Sequence, residues 1–336
     1  MNIYITGVAG LVGSNLAKRL LTTTDHSIKG CDTLIGGYED NIPDDVQWTR
    51  TDICDTKQMQ EELQDVDVLI HTAALPYEGL SVFSPALITQ NIVGGTTSVA
   101  SAAIQNNVKR FIFCSSMARY GSQVPPFTEN LTKKPVDPYG MAKAQAEDML
   151  FLLSDIHGLE VTVAVPHNII GVGQRYTDPY RNVAAIMINS TIKNEKIYVY
   201  GDGHQKRSFS DISDCVKALT HIAESDRNLN REVYNIGPDK NEITINNLAE
   251  YVSIVTDLSP EIIHIPDRPH EVKNAYCSSD KIKREFNYNA TMPLITTLTQ
   301  MTDWIYTRGS QAFDYHLPIE ITNKKELPQT WKDQLF

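Results

Sequence analysis

Residues 3–13 read Ile3-Tyr4-Ile5-Thr6-Gly7-Val8-Ala9-Gly10-Leu11-Val12-Gly13, and the fold follows from how that stretch is understood. An apolar run of strand length enters three glycines spaced three apart, and a helix-like segment, Leu11–Leu21, leaves them. Glycine inside an element costs stability, so three together point to a tight turn or to close approach of a ligand. In a strand–turn–helix unit the glycines allow the turn, admit a pyrophosphate to the backbone, and let the helix pack on the strand. The phosphates then meet free N–H groups and the positive end of the helix dipole. Here the spacing is GxxGxxG, one residue longer in its first gap than the common fingerprint.

Asp32 adds to this signal. It closes the second expected strand, nineteen residues past Gly13, where a carboxylate hydrogen-bonds the adenosine ribose hydroxyls. The same carboxylate repels a 2′-phosphate, which favours NAD over NADP.

Outward from the turn, strand-length apolar runs alternate with helical stretches. Strands are expected at Asn2–Thr6, Ser27–Asp32, Val46–Asp52, Val66–Ala74, Lys109–Ser116 and Leu159–His167, and helices at Leu11–Leu21, Leu87–Gln105 and Tyr139–Leu153. That alternation implies right-handed crossovers and an α/β fold with a doubly wound parallel Rossmann sheet. Asp137 suits an N-cap, Pro138 the first turn and Gly158 a position just past the helix end. Beyond residue 168 the pattern loosens, with short strands expected at Ile197–Tyr200, Glu232–Ile236 and Glu261–Ile265. The expected organisation is a cofactor-binding domain at 1–167, to which 205–240 returns. A smaller C-terminal α/β lobe at 168–204 and 241–312 would bind substrate, and 313–336, with Pro318, Pro328 and Trp331, reads as an irregular tail.

Bulk properties narrow the function. A net charge of −11 argues against nucleic acid and anionic membranes as partners. Five cysteines, an odd number with no CxxC pair, favour a reducing, cytoplasmic setting over a disulfide framework or a metal site. No leader and no apolar run of bilayer length is read in the chain.

Tyr139-Gly140-Met141-Ala142-Lys143 places a phenol and an ammonium four apart, on one face of a helix. A phenol titrates near pH 10, and a nearby lysine or positively charged nicotinamide ring would lower that value. Ser116 stands at the carboxyl edge of the fifth strand, where open α/β sheets bind ligands. Its hydroxyl can hydrogen-bond the oxygen whose proton the tyrosine removes.

Taken in order, these motifs resemble the extended short-chain dehydrogenase/reductase family, and within it the NAD-dependent nucleotide-sugar epimerases of the UDP-galactose 4-epimerase type. The resemblance covers about residues 1–310. It runs through the glycine turn, Asp32-Thr33-Leu34, Asp52-Ile53, His71-Thr72-Ala73-Ala74, Asn91 and Gly94, then Ser115-Ser116-Met117-Ala118-Arg119-Tyr120-Gly121 and Pro138-Tyr139-Gly140-Met141-Ala142-Lys143. His167-Asn168, Asn182, the Gly201–Arg207 segment and Arg268-Pro269-His270-Glu271 continue it. It implies that Gly7, Gly10, Leu11, Val12, Gly13, Asp32, Asp52, Ile53, Thr72, Ala73, Ala74, Asn91 and Lys143 hold NAD. It further implies that Ser116, Tyr139 and Lys143 are catalytic and that Asn168, Asn182, Arg207 and Arg268 bind a UDP-linked substrate.

The implied reaction is a redox-neutral C4 epimerisation through a transient 4-keto sugar. UDP-glucose and UDP-galactose or their N-acetylated forms are the implied pair, because the small Ala275 falls where the family gates pocket size. A homodimer is implied as well. Met117 and Ala118 stand where dehydrating and decarboxylating relatives carry acids, which weakens both of those readings. The alternatives are a UDP-uronic acid 4-epimerase, with Arg175 or Arg119 meeting the carboxylate, a 4-keto-sugar reductase, and a non-catalytic NAD-binding scaffold or sensor. Arg119 could equally be a surface residue.

Overall fold

The computed structural model describes residues 1–239, 242–267, 274–322 and 327–336. Seven parallel strands form the main sheet, in the spatial order Val233–Ile236, Glu160–Pro166, Arg110–Cys114, Val68–His71, Asn2–Thr6, Ser27–Cys31, Gln47–Thr49. Chain order reverses beside the first strand, where Thr6 pairs with Cys31 on one side and His71 on the other. A crevice opens there, at the carboxyl ends, which is where such sheets take ligands.

Both faces of the sheet are covered, and the strand period of two divides its side chains between two cores. Phe111 and Phe113 join Val99 and Leu150 on one face. Ile112 and Cys114 join Leu16 and Leu219 on the other. Helices Gly95–Gln105 and Pro138–His157 cover the first face; Leu11–Thr23 packs on Ile212–Ala223 over the second.

A third core belongs to the C-terminal half. Helices Val183–Ile192, Ile245–Thr256 and Leu294–Arg308 meet there around Ile188, Leu248 and Leu298, with the parallel pair Ile197–Tyr200 and Ile262–Ile265.

Several boundaries differ from the sequence expectation, each for a local reason. The second to fifth strands stop one to three residues early: Cys31 and His71 pair with Thr6, the last residue of the first strand, Thr49 pairs with Cys31, and Cys114 keeps a partner, Ala164, on one side only. The released residues, among them Asp32, Asp52, Thr72 and Ser116, become the rim of the crevice. The helix starting at Pro138 runs on to His157, because no breaker precedes Gly158. Asp137 accepts the Gly140 N–H at 2.8 Å, and Gly158 closes the helix at φ +76°, its N–H on the Ser154 carbonyl at 2.8 Å. The helix expected at Leu87–Gln105 widens to a π turn over Gln90–Gly94. Asn91 lies in that turn and accepts the Leu75 N–H at 2.8 Å.

Candidate active site

A single cavity of about 500 Å³ runs from the glycine turn, past the sheet crevice, into the C-terminal lobe. Gly7 adopts φ +74°, and a Cβ there would come within 2.8 Å of the Ala73 backbone. A Cβ on Gly13 would stand 2.2 Å from the Gly7 carbonyl, so helix and turn pack backbone to backbone. Gly10 caps the following helix without a side chain, and no carboxylate stands in its first turn. The positive helix end thus faces the cavity with no acid in its own first turn, which fits a diphosphate.

Asp32 stays beside it by accepting the N–H groups of Ala9 at 2.9 Å and Leu34 at 2.7 Å. Burial raises its carboxyl, and those backbone donors pull it down. Opposite, Thr72 donates to the Thr6 carbonyl at 2.7 Å, and Ala73 N–H reaches the Thr6 hydroxyl at 3.2 Å. His71 is wholly buried below them, bridging the Thr6 and Thr96 hydroxyls at 2.7 and 3.0 Å. Burial, then the nearby Lys143, pushes its imidazole down to about 3, so it is a neutral structural strut.

Ser116, Tyr139 and Lys143 converge on the middle of the cavity. Ser116 caps a short turn, accepting the Ala118 N–H at 3.2 Å, and lines the cavity together with Tyr139. Tyr139 N–H donates to the Ser81 hydroxyl at 3.1 Å, which pins the start of its helix. Burial pushes the phenol up; Ser116 and the Arg181 guanidinium pull it down, whereas Glu78 and Asp137 push it further up. Lys143 donates to the Cys114 carbonyl at 2.7 Å and sits 4.8 Å over the Phe113 ring. Burial brings its ammonium down to about 8. Arg181, a residue with no motif to announce it, also lines the cavity, and its charge favours the phenolate.

The cavity brings together nearly every residue singled out from sequence. Gly7, Gly10, Leu11, Val12, Gly13, Asp32, Asp52, Ile53, Thr72, Ala73, Ala74 and Asn91 line one end, and Asn168, Asn182 and Arg207 the other. Asn168 and Asn182 both take positive φ, at +45° and +50°. Asn168 donates to the Ser208 carbonyl at 2.9 Å, and Asn182 caps its helix through the Ala184 N–H at 3.2 Å. Arg268 lies outside the described residues.

Three expectations fail. Arg119 is neither a substrate contact nor a surface residue. It is buried and paired with Glu147 at 3.0 Å, where Ser115 also donates a short hydrogen bond. Arg175 is not among the residues that line the cavity, its guanidinium being taken by the Ile35 carbonyl and by Asp314 at 2.9 Å. Ala275 pairs with Arg207 in a strand and is buried in the core, so it gates no part of the cavity. His167 is buried behind Asn168, against Gly237 and the Pro238 carbonyl.

A family model described as the NAD dependent epimerase/dehydratase family matches residues 3–237, and the chain belongs to that family. A UDP-N-acetyl-alpha-D-glucosaminuronate decarboxylase of Bacillus cytotoxicus is 29% identical over 89% of this chain and 96% of its own length. The crystal structure of a Thermotoga maritima UDP-glucose 4-epimerase with UDP-glucose superposes with a TM-score of 0.85 at 27% identity, covering 92% of this chain and 99% of that one. A Bacillus cereus UDP-glucuronic acid 4-epimerase, in complex with UDP-glucuronic acid and NAD, gives 0.86 at 25% over 92% and 100%. The glycine turn and Asp32 fit NAD by their own geometry.

Proposed function

We propose that this chain is an NAD-dependent 4-epimerase of a UDP-linked hexose, UDP-glucose/UDP-galactose or their N-acetylated forms. The observation that carries the reading is the convergence of Ser116, Tyr139 and Lys143 with the glycine turn, Asp32, Asn168, Asn182 and Arg207 on one cavity. The Thermotoga and Bacillus cereus 4-epimerases, so similar over nearly their whole length, support it. Met117 and Ala118 do not line the cavity and carry no acid, which disfavours dehydration and decarboxylation.

Tyr139 takes the proton of the sugar 4-hydroxyl, while the Ser116 hydroxyl hydrogen-bonds the same oxygen. Because burial holds the phenol protonated, its release of a proton depends on positive charge nearby, from Arg181 and, across the same cavity, Lys143. NAD, when bound, supplies the acceptor and then the donor of the C4 hydride. Asn168, Arg207 and Arg268 grip the diphosphate, with Asn182 beside the nucleotide, so the 4-keto hexose turns over without the nucleotide leaving. Binding energy remote from C4 is thereby used to position it.

Residues 1–167 with 205–240 would form the cofactor half, and 168–204 with 241–312 the substrate half. A homodimer is supported by the exposed apolar side chains Met141, Met149, Leu152 and Ile156 on the Tyr139 helix. A cytoplasmic place in carbohydrate metabolism is supported by five free cysteines, four of them buried. Among the described residues, no helix is long and apolar enough to cross a membrane.

The test is exchange NMR of the purified protein with a panel of UDP-sugars and no added coenzyme. Inversion at C4 supports the reading; steady NADH accumulation makes the protein a net dehydrogenase, and no turnover makes it a scaffold. A second reading, a UDP-uronic acid 4-epimerase, is favoured by Arg181, whose guanidinium lines the cavity beside Tyr139 and could meet a carboxylate. UDP-glucuronic acid in the same panel decides between them.

A further inference from the structure

We propose that residues 327–336, in the segment that reads from sequence as an irregular tail, form a wall of the substrate half of the cavity. In this wall Phe336 supplies an aromatic face for the substrate's planar nucleobase. The inference rests on the nucleotide-sugar reading above.

The preceding chain already ties the two halves together beside the cavity. Tyr180 donates to the Leu317 carbonyl at 3.2 Å, and Ser84 to the Pro318 carbonyl at 2.7 Å. Glu320 caps the helix Pro85–Thr89, accepting the N–H groups of Ala86 and Leu87 at 3.0 and 2.8 Å. Residues 327–336 then dock onto the substrate side. Trp331 is buried between the Phe83 and Tyr180 rings, its indole N–H on the Pro179 carbonyl at 3.0 Å. Pro328, Thr330, Trp331 and Phe336 line the cavity, and none of their described contacts touches the glycine turn or Asp32.

The place of Phe336 suggests its ligand. Its ring meets Tyr198 at 6.0 Å between centroids and 72°, and Phe313 at 5.2 Å. Tyr198 belongs to the strand that leads to Gln205 and Arg207, and all three line the cavity. An aromatic pair on the wall that carries the diphosphate arginine suits the flat base at the other end of the diphosphate from the sugar. Removing one ring from a base stack weakens binding roughly 5- to 100-fold.

The experiment titrates UDP into the purified full chain, cofactor retained, by calorimetry, for the wild type, Phe336→Ala and Phe336→Tyr. Phe336 is half-buried, so its truncation leaves the core intact. The Ala variant is expected to raise the UDP Kd about tenfold with NAD content and melting temperature unchanged, and the Tyr variant to restore it within about twofold. A Phe336→Ala protein that binds UDP as the wild type does overturns the inference, as does one that loses NAD and stability without a selective loss of UDP affinity. A wild type that binds no UDP refutes the nucleotide-sugar reading itself, an outcome distinct from either.

Discussion

Replacing Glu147 with leucine removes the anionic half of a buried ion pair beside the turn Met117–Tyr120. The Arg119 guanidinium stands 3.0 Å from the carboxylate, with side chains 5% and 0% exposed, and Lys133 approaches at 3.6 Å. At a separation of 3–4 Å and an effective dielectric near 20, the attraction is worth about 4–5 kcal/mol. Leaving one partner of such a pair buried and uncompensated costs about 3–5 kcal/mol, the same size. Ser115 also loses the acceptor for its hydroxyl, adding about 1 kcal/mol. Glu147→Leu should therefore destabilise the protein by about 4 kcal/mol in urea unfolding followed by tryptophan fluorescence. Arg119→Met/Glu147→Leu should recover most of that loss, since no guanidinium is then left buried without its partner. A single-variant cost below about 1 kcal/mol, or a double variant no more stable than the single, would refute the claim that this pair is desolvated and coupled.

Tyr139→Phe should retain NAD and lower C4 inversion by about 10²- to 10⁴-fold, read by exchange NMR and cofactor absorbance; near-normal turnover would remove the phenol from the reaction. Gly13→Ala drives a methyl to 2.2 Å from the Gly7 carbonyl. The protein should purify without NAD and lose about 1–3 kcal/mol of stability, and a cofactor-replete variant would contradict the backbone-to-backbone packing of helix on turn. His71 and His167 are held neutral, down to about 3 and about 4, by burial. Because their folded values lie below the unfolded one of about 6.5, neither affects stability above pH 7. Stability is lost as pH falls below about 6.5, by about 2 kcal/mol per histidine at pH 5. Unfolding midpoints measured from pH 7.5 to 5 should show that slope, and His71→Gln should flatten it.

The glycine turn, Asp32, the Tyr139–Lys143 spacing and the Asp137 and Gly158 caps were legible in the chain because each is a local rule. A positive φ, a helix repeat or a strand end restricts residue type within a few positions, and the parallel sheet follows from their alternation. Arg119, Arg175, Ala275 and the tail were not legible, since their roles come from partners far along the chain. Arg119 meets Glu147 from the neighbouring helix, and Arg175 meets Asp314 across 139 residues. Ala275 is taken into the core by pairing with Arg207.

Sequence by itself determined the cofactor turn and the doubly wound sheet. Which arginines are buried in ion pairs and which residues of the C-terminal segment line the cavity were decided only by tertiary packing. Desolvation and charge depend on every group within a few ångströms, and chain proximity fixes few of those neighbours.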